Sequence, residues 1–353
     1  MPFCLRKNLT FAKIISKGSY EMSKIFLSID FTPSNTTIYR EGKGVVLDEP
    51  NKVLCQGDYS DVKILGFGSN AEKYQPDQFV IYPVRIDGVD SSEQVYARQM
   101  FANYISTITK DKPNANIIAK FSVSCGASQA FKKTIRSLAF YAGISDIDFV
   151  PYPLADMIGC GITFDDFLCC MLVDINTNNT DIAVLSRDGI LDAVSVNVGT
   201  QNFEQAIYEQ VKYRCGLSLE SETVNDVLCH LGSLNNREAY ELSYSGIDIR
   251  TGESRMAKIN SKDIYGAIKD FYLAIAKTAL NLYSKQPPEI RENLNIQGAV
   301  FCGRGSNVPF LSEFMGERLR LPIFVATYDC TLYGLGKLTK NKGLFKRMMK
   351  KVA

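Results

Sequence analysis

The chain has 353 residues, 46% of them hydrophobic and 22% charged, which is material for two domains with substantial cores and excludes an intrinsically disordered chain. A formal net charge of +2 gives no global electrostatic reason to bind nucleic acid. A single histidine, His230, excludes multi-histidine metal sites, and no apolar run reaches the ~18 residues that a bilayer span requires.

Residues 1–21 carry Arg6, Lys7, Lys13 and Lys17 without a continuous apolar core, so they read as a basic extension rather than a secretory signal. Met22 stands directly before the first strand. Ile25 to Asp30 alternates as a strand, and Thr36 to Tyr39 with Val45 to Leu47 flank Glu41-Gly42-Lys43-Gly44 as a hairpin. Helical periodicity follows at Gln94 to Thr109 and Ala127 to Ala142, with a strand at Asn116 to Val123 between them and a further helix at Leu154 to Gly161.

The segment from Cys170 to Val196 then repeats the opening plan of strand, turn and hairpin. Asp30 is followed five, six and eight positions later by Asn35, Thr36 and Ile38; Asp174 is followed at the same offsets by Asn179, Thr180 and Ile182. The copies lie about 144 residues apart, the mark of a duplicated domain. Beyond the second copy come helices at Phe203 to Arg214 and Glu222 to Leu231 and a strand-like, turn-rich insert at Tyr240 to Arg255. A long helix, Ser261 to Tyr283, stops before Pro287-Pro288. The last unit is a strand, Gly298 to Phe301, a turn at Cys302-Gly303-Arg304-Gly305-Ser306, and a helix opening near Pro309. Strands alternating with helices in two related halves predict an α/β fold with a ligand cleft between them.

Strand-end carboxylates such as Asp30 and Asp174 suit a phosphate site, and equally cap turns. The turns behind them lack the usual glycines: Thr32, Pro33, Ser34, Asn35 and Thr36 follow Asp30, and Asn176, Thr177, Asn178, Asn179 and Thr180 follow Asp174. Glycine lets the backbone approach phosphate with positive φ, and successive N–H groups cradle an anion. Pro33 has no N–H to offer. Asparagine tolerates the left-handed conformation, so these turns are expected to keep their shape with a weaker grip on phosphate.

Ten cysteines without a Cys-x-x-Cys pair predict buried reduced thiols in a cytosolic protein, with Cys169 and Cys170 on opposite faces of one strand. The tail after Gly336 has no acid. Drawn as a helix, it sets Leu344, Phe345, Met348 and Met349 on one stripe and Lys346, Arg347, Lys350 and Lys351 opposite. That pattern suits an anionic membrane interface, a solubilising tail or a helix docked on a neighbour; membrane contact is the expectation.

Four stretches in order, opening "IDFTPSNTTIYREGKG", "GASQAFKKTIRSLAFYAG", "LVDINTNNTDIAVLSRDG" and "GAVFCGRGSNVPFLSEF", resemble the two phosphate regions, connecting helix and adenosine loop of the bacterial actin homologue MreB. The resemblance runs from about Ile25 to Lys337. It implies an actin-like fold of the actin, Hsp70 and sugar-kinase superfamily: two related lobes around a central cleft, residues 22–163 and 164–337, the second with an insert near 236–260, and then the tail 338–353. It also implies ATP held by Asp30, Thr32, Ser34, Asn35 and Thr36, by Asp174, Asn176, Thr177, Asn178, Asn179 and Thr180, and by Gly303, Arg304 and Gly305, with magnesium held through water at Asp30 and Asp174. Arg304 either meets phosphate or points to solvent.

The departures fall on the chemistry. The family's glutamate that activates the attacking water is replaced near Pro151 and Tyr152, and a phenol with pKa near ~10 is a poor base at neutral pH. No catalytic residue is therefore assigned, and slow or lost ATP turnover is expected. The resemblance implies head-to-tail filaments at the inner face of the cell membrane, in the cytoplasm, that help determine cell shape alongside cell-wall synthesis machinery. Two other readings remain open: a sugar-kinase-like phosphotransferase, and a nucleotide-independent scaffold that binds such filaments through the insert.

Overall fold

The structure, a computed structural model, describes residues 23–58, 61–71, 75–85, 89, 92–162, 169–326 and 330–349. The basic extension, the 163/164 boundary, and Lys350 and Lys351 lie outside the described residues.

The duplication is visible in the sheets. The first lobe carries β1 (Lys24–Phe31), β2 (Asn35–Arg40) and β3 (Gly44–Pro50), then a small sheet of β4 (Val53–Asp58), β5 (Asp61–Phe67) and β6 (Gln78–Ile81). It continues through α1 (Gln94–Thr109), β7 (Asn116–Val123), α2 (Gln129–Tyr141), β8 (Ile144–Pro151) and α3 (Tyr152–Gly159). The second lobe carries β9 (Cys169–Ile175), β10 (Thr180–Ser186), β11 (Gly189–Val196), α4 (Thr200–Cys215), β12 (Leu217–Ser218) and α5 (Ser221–Leu231). It goes on with β13 (Glu241–Asp248), β14 (Ser254–Asn260), α6 (Ser261–Ser284), α7 (Pro288–Gln297), β15 (Ala299–Cys302), α8 (Leu311–Leu319) and β16 (Ile323–Val325).

The principal sheets run β3-β2-β1-β7-β8 and β11-β10-β9-β15-β16, the same order with the same directions. Asp30 stands beside Ser122, and Asp174 holds the matching place beside Cys302. The turn-rich insert is more regular than the sequence suggests: β13 and β14 form an antiparallel hairpin joined to β12. Pro287 ends nothing for long, because Pro288 opens α7, where a missing N–H costs no hydrogen bond.

Each lobe has its own core, and a third lies between them. Strand β9 feeds two of these, since Cys169, Met171 and Val173 face one cluster while Cys170 and Leu172 face the other; the two adjacent thiols do point opposite ways. The middle cluster is built on α3 and on α9 (Cys330–Lys340). The two helices are exchanged. Helix α3 leaves the first lobe's last strand and packs on β9 and β10, while α9 follows the second lobe's last strand and packs on β1, β2 and β7. They cross on glycines: a Cβ at Gly334 would collide with the Ala155 carbonyl, and one at Gly159 with the Cys330 carbonyl.

The tail corrects the expected lipid-facing stripe. Helix α10 (Lys342–Met348), capped by Asn341 accepting from the Leu344 N–H, folds back on the protein. Met348 is 0% exposed in the middle core, with Leu344, Phe345 and Met349 packed against it. The Phe345 ring covers Lys120 Nζ at 3.3 Å, and Lys120 pairs with Asp148 at 2.6 Å. An amphipathic stripe satisfied by a protein surface is unavailable to acyl chains; Lys346 and Arg347 remain on the exposed side. No described helix is long and apolar enough to cross a membrane.

Candidate functional site

A cavity of about 1020 Å³ opens between the lobes where the equivalent strands end. Its walls include Asp30, Thr32, Ser34 and Asn35 on one side and Asn176, Thr177, Asn178, Asn179, Gly303 and Arg304 on the other. Thr36 and Thr180 are turned away, as strand alternation requires once Asn35 and Asn179 face inward. Each is fully buried, with Thr36 donating to Asn51 Oδ1 and Thr180 to the Val198 carbonyl, both at 2.6 Å. Gly305 is likewise buried, under Ile175.

The two turns keep their shape by a different means from the one the sequence suggested. Among the described residues only Phe310 and Arg320 are non-glycine with positive φ, so none of the asparagines is left-handed. Side chains do the work instead. Thr32 Oγ1 accepts from the Asn35 N–H and donates to the Asn35 carbonyl, each at 3.0 Å, and the Thr32 N–H also bonds that carbonyl. In the second turn the Asn176 N–H bonds the Asn179 carbonyl at 2.9 Å, Asn176 Nδ2 donates to Asp174, and Asn178 Nδ2 donates to Gln201. Backbone donors that bond within the turn offer no cradle to an anion. Gly303 is the retained glycine with a clear steric reason: φ is 79°, and a Cβ there would strike Asp174 and the Ile175 carbonyl.

Tyr152, standing where the resemblance puts a glutamate, donates to Asp30 Oδ1 at 2.6 Å, and Ser122 Oγ donates to the same oxygen at 2.7 Å. Burial and the Asp30 charge push the Tyr152 hydroxyl well above its ordinary pKa, so it is a donor and not a base. Asp174 lies beneath the cavity floor, 1% exposed. Its pKa is raised to about 8, first by burial, then by Asp181, with Asn176 opposing and Asp30 adding to the rise.

Three residues went unread in the sequence. Asp156, 1% exposed, accepts from Thr331 Oγ1 at 2.5 Å and comes together with Asp174 and Cys302, their ligand atoms all within 4.8 Å of one another. A lone carboxylate in the apolar run Leu154 to Ile158 was the available signal. Asp181, buried in β10, accepts from Ser124 Oγ at 2.8 Å and from the Cys125 N–H at 3.2 Å. Ser124 belongs to the first lobe, and it also receives Asn179 Nδ2 at 3.2 Å. The lobes are thus bonded directly across one end of the cleft.

The donor set fits a divalent cation better than a triphosphate. Buried Asp156 and Asp174 bring their oxygens together beside the Cys302 sulfur, and burial is the first cause of the raised Asp174 pKa. In the phosphate turns the Thr32, Asn35 and Asn176 N–H groups already bond within the turn. Arg304 is exposed at the cavity edge, with Nη2 3.4 Å from Asn225 Oδ1.

The MreB/Mbl protein family model matches residues 24–347. The cell shape-determining protein MreB of Escherichia coli (strain K12) is 27% identical over 322 residues, 88% of this chain and 92% of that protein. The cell shape-determining protein Mbl of Bacillus subtilis (strain 168) is 26% identical over 325 residues, 89% and 96% of the respective chains. MreB5 of Spiroplasma citri bound to ADP superposes with a TM-score of 0.80 at 21% identity over 90% of this chain and 96% of that one. The MamK double helical filament gives 0.74 at 17%, over 90% and 99%. With two duplicated lobes around the cleft and a match over nearly its whole length, this chain belongs to the MreB/Mbl family and has the actin-like fold.

Proposed function

We propose that the protein is an MreB-type cytoskeletal subunit that assembles head to tail into filaments with little or no ATP turnover. The observation that carries this reading is the hydrogen bond from Tyr152 to Asp30 inside an otherwise complete two-lobed frame. The two-lobed frame supports assembly of this kind, and a phenol that holds its proton stands at the position where the resemblance implies a water-activating glutamate. A heterologous contact that does not close on itself makes a filament. The E. coli and B. subtilis relatives are named as cell shape-determining proteins, and a structural neighbour is a filament, which supports a role in cell shape alongside cell-wall synthesis.

ATP with magnesium is a weak occupant of the cleft in this reading. Neighbouring MreB5 structures hold AMPPNP and ADP, and the cavity volume accommodates a nucleotide. Asp30 and Asp174, joined by Asp156, would face the cation, while the Thr32, Asn35 and Asn176 N–H groups, already bonded within the turns, limit the hold on phosphate. The protein works in the cytoplasm at the inner membrane face. Contact with lipid there is electrostatic, through Lys342, Lys346 and Arg347, at ~1 kcal/mol per cation near the surface.

Phosphate release from magnesium ATP, measured beside E. coli MreB under one set of conditions, tests the turnover claim. Release far below that of the relative is expected, and equal rates would refute it.

A further inference from the structure

Beneath the cleft, the crossing of α3 and α9 brings two thiols together. Cys160 caps the C-terminus of α3 and Cys330 is the first residue of α9; their sulfurs lie 2.9 Å apart although 170 residues separate them in the chain. A bonded pair sits at ~2.05 Å, so little movement separates this contact from a covalent one. The backbone permits it because Gly159, next to Cys160, lies so close to the Cys330 carbonyl that no side chain fits between them. Cys160 is partly exposed and Cys330 buried, the arrangement of an attacking and a resolving thiol. Cys302, close by on β15, is buried with its pKa pushed well up, which keeps it as an unreactive thiol.

We propose that Cys160 and Cys330 form a redox modification site, oxidised by low-molecular-weight disulfides such as oxidised glutathione, and that the resulting bond locks the two lobes at their pivot. The Cys160 thiolate attacks one sulfur of the small disulfide; a protein–glutathione bond forms as the glutathione S–S bond breaks and the first glutathione leaves. The Cys330 sulfur then attacks Cys160 Sγ, and the second glutathione leaves. Two protein thiols are oxidised, one small disulfide is reduced to two thiols, and the two thiol protons pass to the leaving sulfurs. Such bonds are transient in reducing compartments, so the dithiol is the resting form.

The location gives the bond its consequence. Helix α3 rides on the second lobe's sheet and α9 on the first lobe's. A crosslink between them restrains rotation of one lobe against the other, at a point where Cys330 itself lines the cleft cavity. This inference is independent of whether the protein polymerises.

The test uses the full chain, treated with oxidised glutathione, quenched by alkylation, digested without reductant and read by mass spectrometry. A peptide linking Cys160 to Cys330 is expected, lost on adding dithiothreitol, together with slower hydrogen exchange in α3 and α9 of the oxidised protein. In Cys330→Ser, glutathione should stay on Cys160, since the resolving sulfur is gone. Stable glutathione on Cys160 of the unaltered chain, a link from Cys160 to Cys302 instead, or unchanged hydrogen exchange despite the link would each overturn the proposal. Because the unaltered chain carries the decisive measurement, a variant that fails to fold does not spoil it.

Discussion

Tyr152 and Asp174 carry the residue-scale account. Removing the phenol donor in Tyr152→Phe leaves a charged acceptor short of one bond, which costs ~1.5–3 kcal/mol for a hydrogen bond to an ion. Urea melts should show the lower stability with phosphate release unchanged; an unaltered midpoint would contradict the assignment. Asp174 gives a pH signature. Its folded pKa is raised to about 8, against ~3.9 for an unfolded aspartate. Between those values the folded state holds the extra proton, so this group's contribution is fully present below the unfolded pKa and is lost as pH rises towards 8. Asp174→Asn should therefore flatten the fall in melting temperature from pH ~5 to pH ~8, and an equal fall in both proteins would contradict the buried-carboxylate reading.

The same residues show what a sequence discloses at this scale. Asp30 and Asp174 were legible because strand-end position and the repeated offsets fix them locally. The asparagines were legible as replacements but not in their manner of working: φ is not written in a residue's identity, and their side chains turned out to replace the missing backbone freedom with hydrogen bonds. Asp156 left only its apolar surroundings as a signal and Asp181 left none, because their partners, Thr331 and Ser124, come from distant segments.

Among the elements, the last helix is the instructive case. Its apolar stripe was plain in the sequence, but the same periodicity serves a lipid surface and a protein surface. Met348 buried at 0% exposure over Gly189 decides between them. Met348→Glu should destabilise the fold by ~3 kcal/mol or more, since it buries an unpaired charge; thermal melts unchanged from the parent would show the helix to be undocked. Lys342→Glu combined with Lys346→Glu should lower binding to anionic vesicles and leave melting nearly unaltered, and the residual binding should fall with salt. Equal vesicle binding would remove the electrostatic contact. The exchange of α3 and α9 was beyond the sequence because two short helices reveal their faces but not which sheet each will cover.

At the scale of the whole molecule, the two lobes were legible through the duplication, and their sheets repeat one strand order. What the sequence could not disclose is that the lobes bond to each other directly, through Ser124 and Asn179 meeting at one end of the cleft and Asp181 accepting from Ser124 and the Cys125 N–H. These direct bonds favour a closed arrangement of the lobes with or without nucleotide. Sedimentation of the full-length protein, cleared of nucleotide and compared with the same sample in magnesium ATP, tests this most directly. Equal amounts of filament in the two pellets are predicted; a pellet that forms only with ATP would contradict the account.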